Sequence, residues 1–159
     1  MRFVCDQMFG TLANWLRLLG FDTFYTAEEI SDDELLQVAS AENRTLITRD
    51  KQLVFSARKL QVPVIYIDSK DLNEQLKRVL KESNAQIADE KTLTRCSVCN
   101  GILKAVKKQS VEGKVPENVY LYQQQFWQCL QCHKIYWKGS HFQKIKSKIN
   151  QLKTELYDE

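Results

Sequence analysis

Thr45-Leu46-Ile47-Thr48-Arg49-Asp50 is a short apolar, β-branched run that ends in a carboxylate, and a helix-like stretch follows near residues 51–60. The same order opens the chain, where Phe3-Val4-Cys5 runs into Asp6. It returns where residues 62–67 run into Asp68. A fourth β-rich run spans residues 23–26. Helical signals fall between the runs. Met8, Leu12, Trp15, Leu16 and Leu19 lie at helical spacing, with Gly20 where a C-cap glycine belongs. Ser31-Asp32-Asp33-Glu34 has the form of a capping box, ahead of Leu35, Leu36 and Ala39. Asp71 is placed to cap a further helix to about residue 82, with Leu72, Leu76, Val79 and Leu80 as its apolar stripe. Four strand–helix alternations predict an α/β fold, a parallel sheet flanked by helices and joined by right-handed crossovers.

In an open parallel sheet the carboxyl ends of the strands share one edge, and ligands bind there. Asp6, Asp50 and Asp68 each lie just past a predicted strand, and Asp32 and Asp33 open a helix on the same side. Carboxylates gathered from separate strand ends repel one another unless a hard cation such as Mg²⁺ or Mn²⁺ takes their oxygens. Such an ion can activate water and stabilise a leaving phosphodiester oxygen. Asp32 and Asp33 also suit a capping role, Asp68 suits a turn, and Asp71 reads as a cap alone.

Cys96-Ser97-Val98-Cys99 and Cys129-Leu130-Gln131-Cys132 form the second feature. Two such pairs bring four thiolates to one point, the donor set of a closed tetrahedral zinc site whose role is structural. The 29 residues between the pairs imply a sizeable hairpin or loop. Two disulfides are the competing reading. No secretory signal is evident at the amino terminus, and the fifth cysteine, Cys5, has no mate, so a reducing, intracellular location is expected, cytoplasmic or nuclear.

The chain has 159 residues, 43% of them hydrophobic and 27% charged, and no apolar run long enough for a membrane helix. Its net charge of +3 is unevenly spread. Residues 1–92 carry 12 Lys and Arg against 15 Asp and Glu, while residues 93–159 carry 11 against 5. A basic back half points toward nucleic acid. The reading is a domain over residues 1–83, a polar linker over 84–94, and a zinc ribbon with a C-terminal helix over 95–159. In the ribbon, Tyr120, Tyr122, Phe126, Trp127, Tyr136 and Trp137 are interleaved with Lys134 and Lys138, a composition that stacks bases and tracks phosphates, although a small domain also needs aromatics as core. The last helix, from His141 toward Tyr157, has Phe142, Ile145, Ile149, Leu152 and Leu156 in a stripe that suits its own domain or a partner helix. Arg17 and Arg49 could hold phosphate or pair with the acidic edge. His141 is expected to order the Gly139-Ser140 turn or touch RNA, and His133 is expected to be no ligand.

Residues 6–22, from Asp6-Gln7-Met8-Phe9-Gly10 to Gly20-Phe21-Asp22, together with Thr48-Arg49-Asp50, resemble the opening and second signatures of the Mut7-C domain family. Arg95-Cys96-Ser97-Val98-Cys99-Asn100-Gly101 and Tyr136-Trp137-Lys138-Gly139-Ser140-His141 are similar to its zinc-ribbon half. The resemblance implies a PIN-like ribonuclease fold followed by a zinc ribbon. It implies Mg²⁺ or Mn²⁺ held by Asp6, Asp32 or Asp33, and Asp50, cutting single-stranded RNA. Such domains occur alone in prokaryotes and as the carboxyl-terminal part of Mut-7/Nibbler-type exonucleases that trim small RNAs. The expected partners are therefore RNA and, in the second setting, an exonuclease domain or a docking protein. The RNA-contacting candidates are Arg17, Arg49, Lys134, Trp137, Lys138 and His141.

Overall fold

The computed structural model describes residues 1–158, which divide into two compact units, Met1–Leu93 and Thr94 onward. The first unit alternates strand and helix as β1 (Arg2–Cys5), α1 (Gly10–Leu18), β2 (Asp22–Phe24), α2 (Asp32–Ala41), β3 (Thr45–Thr48), α3 (Lys51–Lys59), β4 (Val64–Tyr66) and α4 (Leu72–Ser83). The strands form one parallel sheet in the order β2-β1-β3-β4, so β1 and β3 are central neighbours. A parallel sheet must bury both faces, and its central strands carry unbroken apolar runs, Phe3–Cys5 and Leu46–Ile47. Val4 and Leu46 turn one face toward Leu35, Leu36 and Ala39 of α2 and Leu53 and Ala57 of α3. Phe3, Cys5 and Ile47 are buried on the other face, and Phe3 meets Phe21 edge-on at 5.6 Å between ring centroids.

The helix ends follow local chemistry. Ser31 and Glu34 complete their capping box on α2, and Asp50 and Asp71 cap α3 and α4. Gly20 follows α1 at φ +94°, a left-handed position, and a Cβ there would collide with the Lys91 carbonyl. Met8, expected on the α1 stripe, lies instead in a 3₁₀ turn over Gln7–Phe9 that Asp6 caps, and it is 57% exposed; the turn rotates it off the α1 face and buries Phe9. Of residues 84–94, expected as a polar linker, 84–93 belong to the first unit: Ala85 and Ile87 are buried, and the Leu93 N–H bonds the Leu18 carbonyl. Two apolar side chains in a polar stretch suffice to anchor it.

The second unit contains an antiparallel sheet β5 (Leu103–Val106), β6 (Phe126–Cys129) and β7 (Ile135–Trp137), with the short α5 (Glu117–Tyr122) between β5 and β6. The C-terminal helix α6 (Ser140–Tyr157) follows, with Ile149 and Leu152 buried on the expected stripe. No described helix is long and apolar enough to cross a membrane.

Candidate functional site

The carboxyl edge of the sheet places Asp6 and Asp50 at the ends of adjacent strands. Beyond β1, the Asp6 N–H still donates to the Ile47 carbonyl at 3.0 Å, which holds its backbone on β3. The Asp6 carboxylate accepts from the Gln7 N–H through Oδ1 and from the Thr48 hydroxyl through Oδ2, both at 2.8 Å. The same Thr48 hydroxyl accepts from the Asp50 N–H at 3.1 Å. Asp50 Oδ1 accepts from the Gln52 and Leu53 N–H groups at 2.8 and 3.3 Å, so the helix start fixes the carboxylate. Thr48 is fully buried and joins the two acids.

Asp32 and Asp33 are exposed in the first turn of α2, where Ser31 rather than either aspartate is the cap. Desolvation raises the Asp32 carboxyl above its ordinary range, and the charges of Asp50, Asp6 and Asp33 raise it further. The four candidate acids therefore share one electrostatic neighbourhood. Their oxygens do not converge on a common point: among the described residues, the group of three or more donors close enough to hold a metal ion is the cysteine set. Asp68 is exposed at the end of β4, and its carbonyl accepts from Arg49 at 3.5 Å.

Arg17 departs from its expected role. It is only 2% exposed, and its guanidinium donates to the Thr23 carbonyl at 3.0 Å and the Tyr25 carbonyl at 3.4 Å. Its place on α1 faces the sheet, so it holds β2 and is withdrawn from any RNA phosphate. Arg49 remains half-buried at the carboxyl edge. Asp22 and Arg44 form a separate ion pair of 2.8 Å at the amino end of the strands and have no place in the site.

In the second unit the ligand atoms of Cys96, Cys99, Cys129 and Cys132 all lie within 4.8 Å of one another, and no disulfide joins them. The sulfur pairs Cys96–Cys132 and Cys99–Cys129 stand 3.7 and 3.4 Å apart. A tetrahedron with metal–sulfur bonds of ~2.3 Å has edges of about 3.8 Å, so the four thiols fit one ion. The two knuckles repeat one backbone design. The N–H groups of Asn100 and His133 donate to the carbonyls of Cys96 and Cys129, and the N–H groups of Cys96 and Cys129 donate to the carbonyls of Gly101 and Lys134. Asn100 and His133 are both left-handed, at φ 72° and 65°, and the donor group that could hold an ion is made of the four cysteines. Amides aim at the sulfurs, with Gly101 donating to Cys99 and both Gln131 and Cys132 donating to Cys129 at 3.4 Å each. Burial pushes the Cys129 thiol up, but the Cys132 and Gln131 amides and the neighbouring Cys99 and Cys132 thiols together bring it down to about 7. A Cβ on Gly101 would stand 2.6 Å from the Cys129 sulfur, so only glycine admits the metal shell there.

The expected aromatic–cation surface sorts into two roles. Phe126 is buried as core, whereas Tyr122 is 82% exposed and Trp127, Tyr136 and Trp137 are half-buried. The Lys134 ammonium lies 5.2 Å from the Tyr136 ring centroid. Lys138 lies between two rings, 5.6 Å from Trp127 and 5.8 Å from Phe142. Trp137 packs beside Gly139, and His141 is exposed in the first turn of α6.

Sequence reasoning missed two groups. Thr48 was read as strand, although a hydroxyl two residues before a helix cap can bond that cap's N–H. The Tyr136 hydroxyl lies 2.9 Å from Cys96 Sγ. Strand alternation in β7 pairs Tyr136 with Trp127, on the sheet face that carries Cys129, a relation that only the sheet register supplies.

A family model described as the Mut7-C RNAse domain matches residues 1–149. The chain belongs to the Mut7-C RNAse domain family. Its match spans the parallel-sheet unit, both cysteine knuckles and most of α6. Comparisons with curated proteins and with solved structures return no match.

Proposed function

We propose that this chain is a metal-dependent ribonuclease that hydrolyses phosphodiester bonds of single-stranded RNA. The observation that carries the reading is the pairing of Asp6 and Asp50 through Thr48 at the ends of adjacent strands, with Asp32 raised by desolvation and then by both acids. Asp6, Asp50 and either Asp32 or Asp33 would hold Mg²⁺ or Mn²⁺, hard cations that prefer carboxylate oxygens. When bound, such an ion supplies an activated water and neutralises charge on the phosphodiester. Thr48 fixes the Asp6 oxygen, and the start of α3 fixes Asp50, so neither carboxylate must reorganise on binding. Arg49, at the same edge, offers a guanidinium to a backbone phosphate.

In the basic second unit, Lys134, Trp137, Lys138 and His141 hold the strand through phosphate contacts and stacking. Structural zinc on the four cysteines keeps the β-sheet folded, because it leaves no open coordination position. The five free thiols suit an intracellular, reducing compartment.

A second reading rests on the acidic oxygens that do not converge among the described residues. On that reading the chain is a weakly active or inactive RNA-binding or protein-docking module of a 3′–5′ exonuclease that trims small RNAs. End-labelled single-stranded RNA with Mn²⁺ separates the two. The nuclease reading expects cleavage by the wild type and loss of cleavage, with binding retained on gel shift, in Asp6→Asn/Asp50→Asn. Binding without cleavage by either protein selects the module, and absence of both selects protein docking.

A further inference from the structure

The two cysteine knuckles match in their backbone bonds but differ at one side-chain donor. Tyr136, on β7, brings its hydroxyl to 2.9 Å from Cys96 Sγ. Its oxygen is engaged by both the backbone and the side chain of Ser97, within the first knuckle. With Ser97 supplying donors to the oxygen, the phenolic proton is directed at the sulfur. A metal-bound thiolate has no proton, so the hydroxyl must be the donor. The ring is held by β7 pairing with β6, where Tyr136 lies opposite Trp127, and Lys134 covers its face at 5.2 Å. Cys96 is fully buried, whereas Cys132 in the other knuckle is exposed.

We infer that Tyr136 is a positioning residue for the metal site, donating a hydrogen bond to the Cys96 thiolate that lowers its nucleophilicity and secures the first knuckle on the ion. The inference rests on metal occupancy of the four-cysteine site. Hydrogen bonds to a thiolate draw charge from its lone pairs and raise the energy needed for sulfur-to-metal charge transfer, which is how outer partners tune a ligand. Among the described hydrogen bonds none brings a hydroxyl to the exposed Cys132, so electrophiles and chelators open the site from the second knuckle.

The test uses the full chain loaded with Co²⁺ in place of zinc. Tyr136→Phe keeps the ring and removes the donor. The expected result is a charge-transfer band displaced to longer wavelength. In the zinc-loaded protein, release of zinc to a strong chelator quickens by about an order of magnitude, the scale of a hydrogen bond to a charged acceptor. A 3-fluorotyrosine at position 136, a stronger donor, displaces the band the other way, and this arm stands even if the phenylalanine variant fails to fold. An unchanged band and an unchanged rate of zinc release in Tyr136→Phe, or an unmoved band with fluorotyrosine, overturns the role of Tyr136 while leaving the metal site intact. Failure of the wild type to show the tetrahedral Co²⁺ spectrum overturns the metal site and the inference together.

Discussion

The hydroxyl of Thr48 donates to the Asp6 carboxylate at 2.8 Å while accepting the Asp50 N–H, so one buried side chain sets two acids on neighbouring strands. Its strand position explains the arrangement: β3 ends at Thr48, Asp50 two residues later is the N-cap, and α3 begins at Lys51. A substitution here tests position separately from charge. Thr48→Val retains the shape, leaves the Asp50 N–H without its acceptor, and should cost about 1–3 kcal/mol of stability. Its loss of Mn²⁺-dependent RNA cleavage should exceed what the unfolded fraction explains, and Thr48→Ser should restore most of it. Denaturant unfolding and cleavage assays on both variants check this. Full activity in Thr48→Val would remove Thr48 from the site.

The electrostatics of Asp32 make a pH prediction. Its folded-state carboxyl lies above the ordinary aspartate value of 3.8, so the folded chain holds this proton more tightly than the unfolded chain does. Stability from this group is complete below 3.8 and is lost as the pH rises through the raised value. Without divalent cations, Asp32→Asn should therefore be slightly more stable than the wild type at neutral pH and equal to it well below 3.8. Adding Mn²⁺ should raise the wild-type melting temperature more than that of Asp32→Asn. Melting curves across pH, with and without Mn²⁺, measure both effects, and a variant less stable at neutral pH without metal would contradict the repulsion.

Gly101 tests the metal shell by packing alone. An alanine Cβ there would stand 2.6 Å from one ligand sulfur and 3.2 Å from another. Gly101→Ala should bind zinc more weakly in a competition with a chromogenic chelator, while the first unit, which does not contain the site, keeps its fold. Equal zinc affinity would show that the knuckles can shift apart.

Metal removal should unfold the second unit selectively. Its sheet is short, and the unpaired thiolates would repel one another without an ion. Circular dichroism and hydrogen exchange after strong chelation should show loss of protection in β5–β7 with the β1–β4 sheet retained. Protection in β5–β7 that survives chelation would make the ion dispensable to the fold.

The strands, helices and knuckles were legible because each rests on a local pattern. Phe3-Val4-Cys5 and Leu46-Ile47 are apolar without alternation, as strands buried on both faces require. Ser31 and Glu34 advertise their capping box at fixed spacing, and the cysteine pairs carry their own geometry. What failed depended on tertiary placement. Arg17 looked like a phosphate ligand because sequence gives charge but not facing, and its helix turns it inward onto the carbonyls of Thr23 and Tyr25. Ala85 and Ile87 were too sparse to show a period, yet both are buried. The bonds of Thr48 to Asp6 and of Tyr136 to Cys96 join residues 42 and 40 positions apart, distances over which no local pattern speaks.

The most direct test of the carboxyl edge as a divalent-cation site is Mn²⁺ binding to the zinc-loaded protein, followed by the loss of the free-ion electron paramagnetic resonance signal. The account predicts that the wild type binds Mn²⁺ with a dissociation constant of about 10⁻³ M or tighter, on the scale of modest carboxylate sites, and that Asp6→Asn/Asp50→Asn loses that binding while keeping its zinc. Equal Mn²⁺ binding by the two proteins, or none by the wild type, would contradict it.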